Sequence, residues 1–336
     1  MGSFIKSISY YLPDTIFTND HFFELFPQSL LNKANLEKLG IKERHIVDAN
    51  ETASDLAIKS ALKLFEEHHI EKNEIDFVLF CAQEFDHYTP TTACLIQNKL
   101  GLNTNCGALD FNLGCSGFVY GLGIAKGLIE ALGCKNVLLL TSSTLTKTFH
   151  PKDKSSRFIF GDGAAATLIS NSEKSQIGEF VFGTDGGRGD KIIIKDGGAR
   201  NPITANSHTE ITDEFGNTNS DATFYMNGNS IFNFGLKTVP NLIKDTLIKN
   251  NTSLNEIDLF IFHQANLFLI DTIAKKINIP SEKIVNFIEP IGNTVSSTIP
   301  IVLYEALKSK KAKPGDKVLI CGFGTGLSWG ATLLEI

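Results

Sequence analysis

One block of this chain occurs twice. Asn73-Glu74-Ile75-Asp76-Phe77-Val78-Leu79-Phe80 returns as Asn255-Glu256-Ile257-Asp258-Leu259-Phe260-Ile261-Phe262. Each copy follows an amphipathic helical pattern, Thr52 to Phe65 before the first and Ile231 to Ile248 before the second. The correspondence keeps its register downstream. A helix over about Thr91 to Leu100 answers one over Leu267 to Ile277, and a strand Ala108–Phe111 answers Ile284–Phe287. A helix opened by small residues then starts near Cys115 in one half and near Asn293 in the other. Asn136–Leu140 answers Lys317–Ile320, and Ala166–Ile169 answers Ala331–Leu334. A chance match would not hold its register over so many elements, so the pattern reads as a duplication.

The strands are continuous apolar runs, the signature of sheets covered on both faces, so the fold class is α/β. The halves divide at about 1–175 and 176–336, with a polar insertion of Gly, Asn, Thr and Asp at about 185–221. At 336 residues and 42% hydrophobic content the chain can bury a large core, and its formal charge of −6 argues against a general nucleic-acid binder. The longest apolar runs, such as Val137–Leu140, are too short to span a bilayer, and Lys6 interrupts the N-terminal apolar stretch. With no CxxC pair among six cysteines, zinc and dithiol readings are weak, and the expectation is a cytoplasmic protein with reduced thiols.

Cys115 stands in Leu113-Gly114-Cys115-Ser116-Gly117, between a predicted strand and a predicted helix. A sulfur at a helix N-terminus is expected to favour the thiolate, the nucleophilic form. Gly114 would permit a sharp turn and Gly117 close approach by a neighbour. His263 ends the repeated strand, at the position of Cys81 in the first copy, and ligands gather at the carboxyl ends of such strands. Asn293 occupies nearly the place of Cys115 in the second half, so duplication directs both helix starts at one site; a plain helix N-cap is the alternative use of this Asn. Near the C-terminus, Gly322, Gly324 and Gly326 surround Phe323 and Thr325 with no βαβ unit after them, which makes a dinucleotide site a poor reading. A glycine-rich turn beside a nucleophile can instead offer a backbone N–H to a developing oxyanion.

Taken with Leu39–Ile46, Phe160-Gly161-Asp162-Gly163-Ala164, Phe262–Leu267, Gly292-Asn293-Thr294 and Phe323–Gly330, the chain resembles the thiolase superfamily, specifically the 3-oxoacyl-acyl-carrier-protein synthase III family. The resemblance covers nearly the whole length. It implies a five-layered α-β-α-β-α architecture, a homodimer, and decarboxylative condensation of an acyl thioester with malonyl-acyl carrier protein in fatty acid or related synthesis. Cys115 would carry the acyl group. His263, as a neutral Nε2–H donor, and Asn293 would stabilise the enolate, and the backbone N–H groups of Cys115 and Thr325 would hold the oxyanion. Phe323, Gly324 and Gly326 would line the substrate's place. No metal, flavin or nucleotide cofactor is implied.

Departures accompany the likeness. The Trp and Arg with which relatives grip coenzyme A correspond to Ala34 and Lys38, and a docking Arg corresponds to Phe268. These leave open whether an acyl-coenzyme A or an acyl-carrier protein is the donor. Lys275 and Lys276 keep part of a basic patch for an acidic carrier. Thr89 replaces a Phe that partly closes the partner subunit's acyl pocket, which would admit a longer or branched chain. Two other readings stand beside condensation: an acyltransferase passing the group from Cys115 to an amine or hydroxyl without decarboxylation, and a non-catalytic partner, against which the joint presence of Cys115, His263 and Asn293 argues.

Overall fold

Asp76 and Asp258, the aspartates of the repeated block, tie together equivalent strands. Asp76 Oδ2 accepts from the backbone N–H of Lys135 and Asn136 at 2.7 and 2.9 Å, and Asp258 Oδ2 accepts from Lys317 N–H at 2.8 Å. Their own N–H groups donate to the carbonyls of Asn136 and Lys317, both at 3.0 Å. The computed structural model in which these contacts are seen describes residues 2–27 and 37–336. Ala34 therefore lies outside the described residues.

The first sheet contains β1 (Gly2–Tyr11), β2 (Phe77–Cys81), β3 (Gly107–Phe111), β4 (Asn136–Ser143) and β5 (Gly163–Ser172), in the order β1-β5-β4-β2-β3. The second contains β6 (Val181–Thr184), β7 (Leu259–Phe262), β8 (Lys317–Gly324) and β9 (Ser328–Glu335), in the order β6-β9-β8-β7. The senses match pair for pair: β5 runs antiparallel to β1 and β4, as β9 does to β6 and β8, and β2 and β7 run parallel to β4 and β8.

The strand expected at Ile284–Phe287 is the exception. Only a single parallel bridge forms, between Ile284 and Phe260. Val285 N–H reaches Phe260 O at 3.0 Å, but the next rung is taken by a side chain. Gln264 Nε2 donates to Phe262 O at 2.7 Å, and its Oε1 accepts from Phe287 N–H at 3.2 Å. A carboxamide is thus inserted where strand pairing would continue, and the segment peels away.

Alternation along the strands sorts side chains into layers. Leu79, Leu139, Ile261 and Ile320 face inward onto α3 (Gly117–Glu130) and α6 (Thr298–Lys308), which lie between the sheets. Val78, Phe80, Leu138 and Leu140 face outward onto α1 (Ala53–His68) and α2 (Thr92–Leu100). Phe260, Phe262 and Leu319 do the same for α4 (Gly228–Lys249) and α5 (Leu267–Lys276). This is the five-layered α-β-α-β-α arrangement. Gly117 and Gly121 let α3 approach its sheet: a Cβ on the first would stand 2.3 Å from Cys81 Sγ, and one on the second 2.6 Å from Leu139 Cδ1.

The polar insertion holds short 3-10 turns and two-residue strand pairs, Ile192–Ile193 with Tyr225–Met226 and Ile211–Thr212 with Thr218–Asn219. Among the described residues no helix is long and apolar enough to cross a membrane.

Candidate active site

The inner helices bring the sequence candidates together. Cys115, His263, Asn293, Phe323, Gly324 and Thr325 all line one cavity of about 360 Å³. Cys115 immediately precedes Ser116, the N-cap of α3, and is 7% exposed, so the sulfur is enclosed but reachable. Its apolar surroundings include Leu145, Phe160, Ile192, Phe224 and Val295. Gly324 is required by Cys115 itself: a Cβ there would lie 2.7 Å from both Cβ and Sγ of that cysteine. Gly114 has no left-handed backbone; a Cβ there would meet Gln83 Oε1 at 2.7 Å and Thr325 Oγ1 at 3.1 Å, the first being the end of a side chain that can move aside.

The expectation of a resting thiolate is corrected by this enclosure. Burial pushes the Cys115 thiol up to about 12, although backbone N–H groups of Thr325 and of Cys115 itself pull the other way. A helix end contributes about 0.3–1 kcal/mol at an exposed site. Full desolvation of a charged sulfur outweighs that.

His263 follows β7, with its N–H donating to Cys321 O at 2.8 Å. It is 1% exposed, and burial lowers the imidazole to about 3, so the ring is neutral at physiological pH. Its Nδ1 lies 2.8 Å from Thr298 Oγ1, and Phe323 meets the ring edge to face at 6.0 Å.

Asn293 is held by the backbone. Its N–H donates to Ile159 O at 2.9 Å, and its carbonyl accepts from Gly161 N–H at 3.1 Å. Its Oδ1 accepts from Val295 N–H at 2.9 Å, which leaves the NH₂ group for the cavity. That bond closes a local turn; α6 begins at Thr298, so Asn293 is not its N-cap. Gly292 before it has φ +66°, and a Cβ would strike the buried Arg44 side chain at 2.9 Å.

Other candidates lie elsewhere. Gly326 sits in the β8–β9 turn with φ +136° and is not among the cavity's lining residues. Thr89, expected at the partner subunit's pocket, is exposed and outside this chain's own cavity. Lys275 and Lys276 are exposed at the far end of α5, whose first turn carries the lining residues Phe268 and Leu269. At 1.5 Å per residue that places them roughly 10–14 Å along the helix from the cavity mouth. Sequence reasoning missed the apolar wall: Leu145, Ile192, Phe224 and Met226. Three of these come from or just after the polar insertion, whose composition conceals its lining role.

A duplicated five-layer fold with Cys, His and Asn on one cavity defines a thiolase-like protein of the Cys–His–Asn kind. The comparisons agree. Residues 109–186 match the model of 3-oxoacyl-[acyl-carrier-protein] synthase III, and residues 247–336 match the model of its C-terminal part. A beta-ketoacyl-[acyl-carrier-protein] synthase III of Clostridium perfringens is 35% identical over 295 residues, 88% of each chain. A crystal structure of a 3-oxoacyl-(acyl-carrier-protein) synthase III superposes with a TM-score of 0.97 at 42% identity, covering 100% of both chains. A 3-oxoacyl-(acyl-carrier protein) synthase from Burkholderia xenovorans gives 0.90 at 32%, covering 100% of this chain and 94% of the other. The chain belongs to the 3-oxoacyl-[acyl-carrier-protein] synthase III family.

Proposed function

We propose that this protein condenses an acyl thioester with malonyl-acyl carrier protein, releasing carbon dioxide, through an acyl-Cys115 intermediate in fatty acid or related synthesis. The carrying observation is that Cys115, His263 and Asn293 line one cavity together with Thr325.

In the loading step Cys115 Sγ bonds to the acyl carbon, the donor's C–S bond breaks, and the Cys115 proton leaves with the donor's thiol. The N–H groups of Cys115 and Thr325 stabilise the oxyanion formed on the way. In the second step the bond to the malonyl carboxyl group breaks and carbon dioxide departs. The electron pair moves to an enolate held by His263 Nε2–H and the Asn293 NH₂. The enolate carbon then bonds to the acyl carbon, the acyl–S bond to Cys115 breaks, and the sulfur takes up a proton from solvent to regenerate the thiol as the 3-oxoacyl product leaves on the carrier.

Asn293 favours this reading over transfer to an amine or hydroxyl, since an inward NH₂ donor serves an enolate oxygen. Release of labelled carbon dioxide from malonyl carrier protein, dependent on Cys115 loading, tests the choice. Transfer of the acyl group to an amine or hydroxyl without that release would refute it.

The same reading places the donor as an acyl-coenzyme A or acyl-carrier protein and the enzyme in the cytoplasm. Lys275 and Lys276 would meet the carrier. We also read the protein as a homodimer. β3 is an edge strand carrying Leu109, 44% exposed, which suits pairing with a second copy. Sedimentation at micromolar concentration giving a monomer would refute that.

A further inference from the structure

His263 can serve an enolate only if the nitrogen facing the cavity carries a hydrogen. A neutral imidazole has one N–H, and the partner of the other nitrogen decides where it sits. That partner here is Thr298, fully buried at the start of α6 with Oγ1 2.8 Å from Nδ1. The hydroxyl has one hydrogen and two acceptors within reach, because the Val295 carbonyl oxygen lies 3.1 Å away.

The two choices have opposite consequences. If the hydroxyl donates to Val295, its lone pair faces Nδ1, which must then hold the ring hydrogen. The cavity meets a bare Nε2. If the hydroxyl donates to Nδ1, the ring hydrogen sits on Nε2 and points at the substrate. The contact to the ring is the shorter of the two. The Val295 carbonyl, 3.1 Å from the same hydroxyl, competes with Nδ1 for its hydrogen.

We propose that Thr298 is a positioning residue: its hydroxyl donates to His263 Nδ1 and fixes the imidazole as the Nε2–H donor that decarboxylation uses. Thr298 is not among the residues lining the cavity, so it acts only through His263. The inference rests on the proposed condensation, but the tautomer is measurable without it.

The test uses protein labelled with ¹⁵N-histidine, the His263 signal being assigned by its absence in His263→Asn. The wild type is expected to show a protonated Nε2 and an unprotonated Nδ1. Thr298→Val removes the hydroxyl that faces Nδ1, and the hydrogen should move there. Decarboxylation of malonyl carrier protein should then fall by about 100-fold, the effect of losing one oxyanion donor. Loading of Cys115, followed by intact mass, should change by less than about threefold, because it does not use that donor. Thr298→Ser keeps the hydroxyl and should restore both tautomer and rate. A wild-type ring protonated at Nδ1 would overturn the proposal, as would a Thr298→Val protein that loses loading and decarboxylation alike. If the wild type releases no carbon dioxide, the proposed reaction fails while the ¹⁵N signal still decides the role of Thr298. A Thr298→Val chain that does not fold leaves the wild-type and Thr298→Ser spectra to decide.

Discussion

Gly324→Ala introduces one methyl group beside Cys115, the residue proposed to carry the acyl group. The new Cβ would stand 2.7 Å from Cys115 Cβ and Sγ. Ordinary contact lies near 3.5–4.0 Å, so about 1 Å must be given up. The backbone of Cys115 has no room to retreat along β8, where a Cβ at Gly322 would already sit 2.9 Å from Cys115 O. The side chain therefore shifts into the cavity, away from the N–H groups of Thr325 and Cys115. Misplacing a reacting group by 1 Å costs about 100-fold in rate, and overpacking of this kind costs about 1–3 kcal/mol in stability. The assay is the time course of acyl-enzyme formation by intact mass with donor in excess, beside thermal unfolding of the same samples. Gly127→Ala is the control: nothing lies within 4 Å of a Cβ there, on the last turn of α3. It should load normally and gain roughly 0.5–1 kcal/mol. A folded Gly324→Ala protein that loads at the wild-type rate would refute the argument that this glycine exists for the sulfur.

Three further outcomes follow from the site. Alkylation of Cys115 by iodoacetamide should climb by about tenfold per pH unit from 7 to 10 without levelling, because the thiol sits near 12; a plateau around neutrality would show a resting thiolate instead. Burial raises Glu84 to about 7. The folded state then holds that proton while the unfolded chain releases it, so stability falls between about pH 4.5 and pH 7 and is flat above. Glu84→Gln should remove that slope and stabilise the protein by up to about 3 kcal/mol at pH 8, at about 1.36 kcal/mol for each pKa unit, read by urea denaturation; an unchanged pH profile would contradict it. The walls Leu145, Ile192 and Phe224 also border a second cavity of about 520 Å³. Donors longer than acetyl should therefore load better, by about fourfold per added methylene at about 0.8 kcal/mol each; strict preference for acetyl would rule out use of that space.

The repeated block made the fold legible because it sits where each sheet is pinned, at Asp76 and Asp258. His263 and Asn293 were legible as partners of Cys115 for the same reason: duplication brings strand ends and helix starts of both halves to one place. The end of the second sheet was not legible, since Ile284–Phe287 has a strand's composition and only the three-dimensional position of Gln264 interrupts it. The protonation of Cys115 was hidden too. Its flanking glycines suggest an activated sulfur, while the residues that desolvate it, Ile192 and Phe224 among them, lie far along the chain in and beside a polar segment. Thr298 looked like any helix-starting threonine until its distance to His263 was known.

The most direct test follows one sample through both half-reactions. Protein incubated with an acyl donor should gain the acyl mass on the peptide containing Cys115. Addition of malonyl carrier protein labelled in its carboxyl group should then clear that mass while releasing one labelled carbon dioxide per acyl group consumed. An adduct on a different cysteine, or an acyl-Cys115 that persists in the presence of malonyl carrier protein, would contradict the assignment of this cavity as a condensing site.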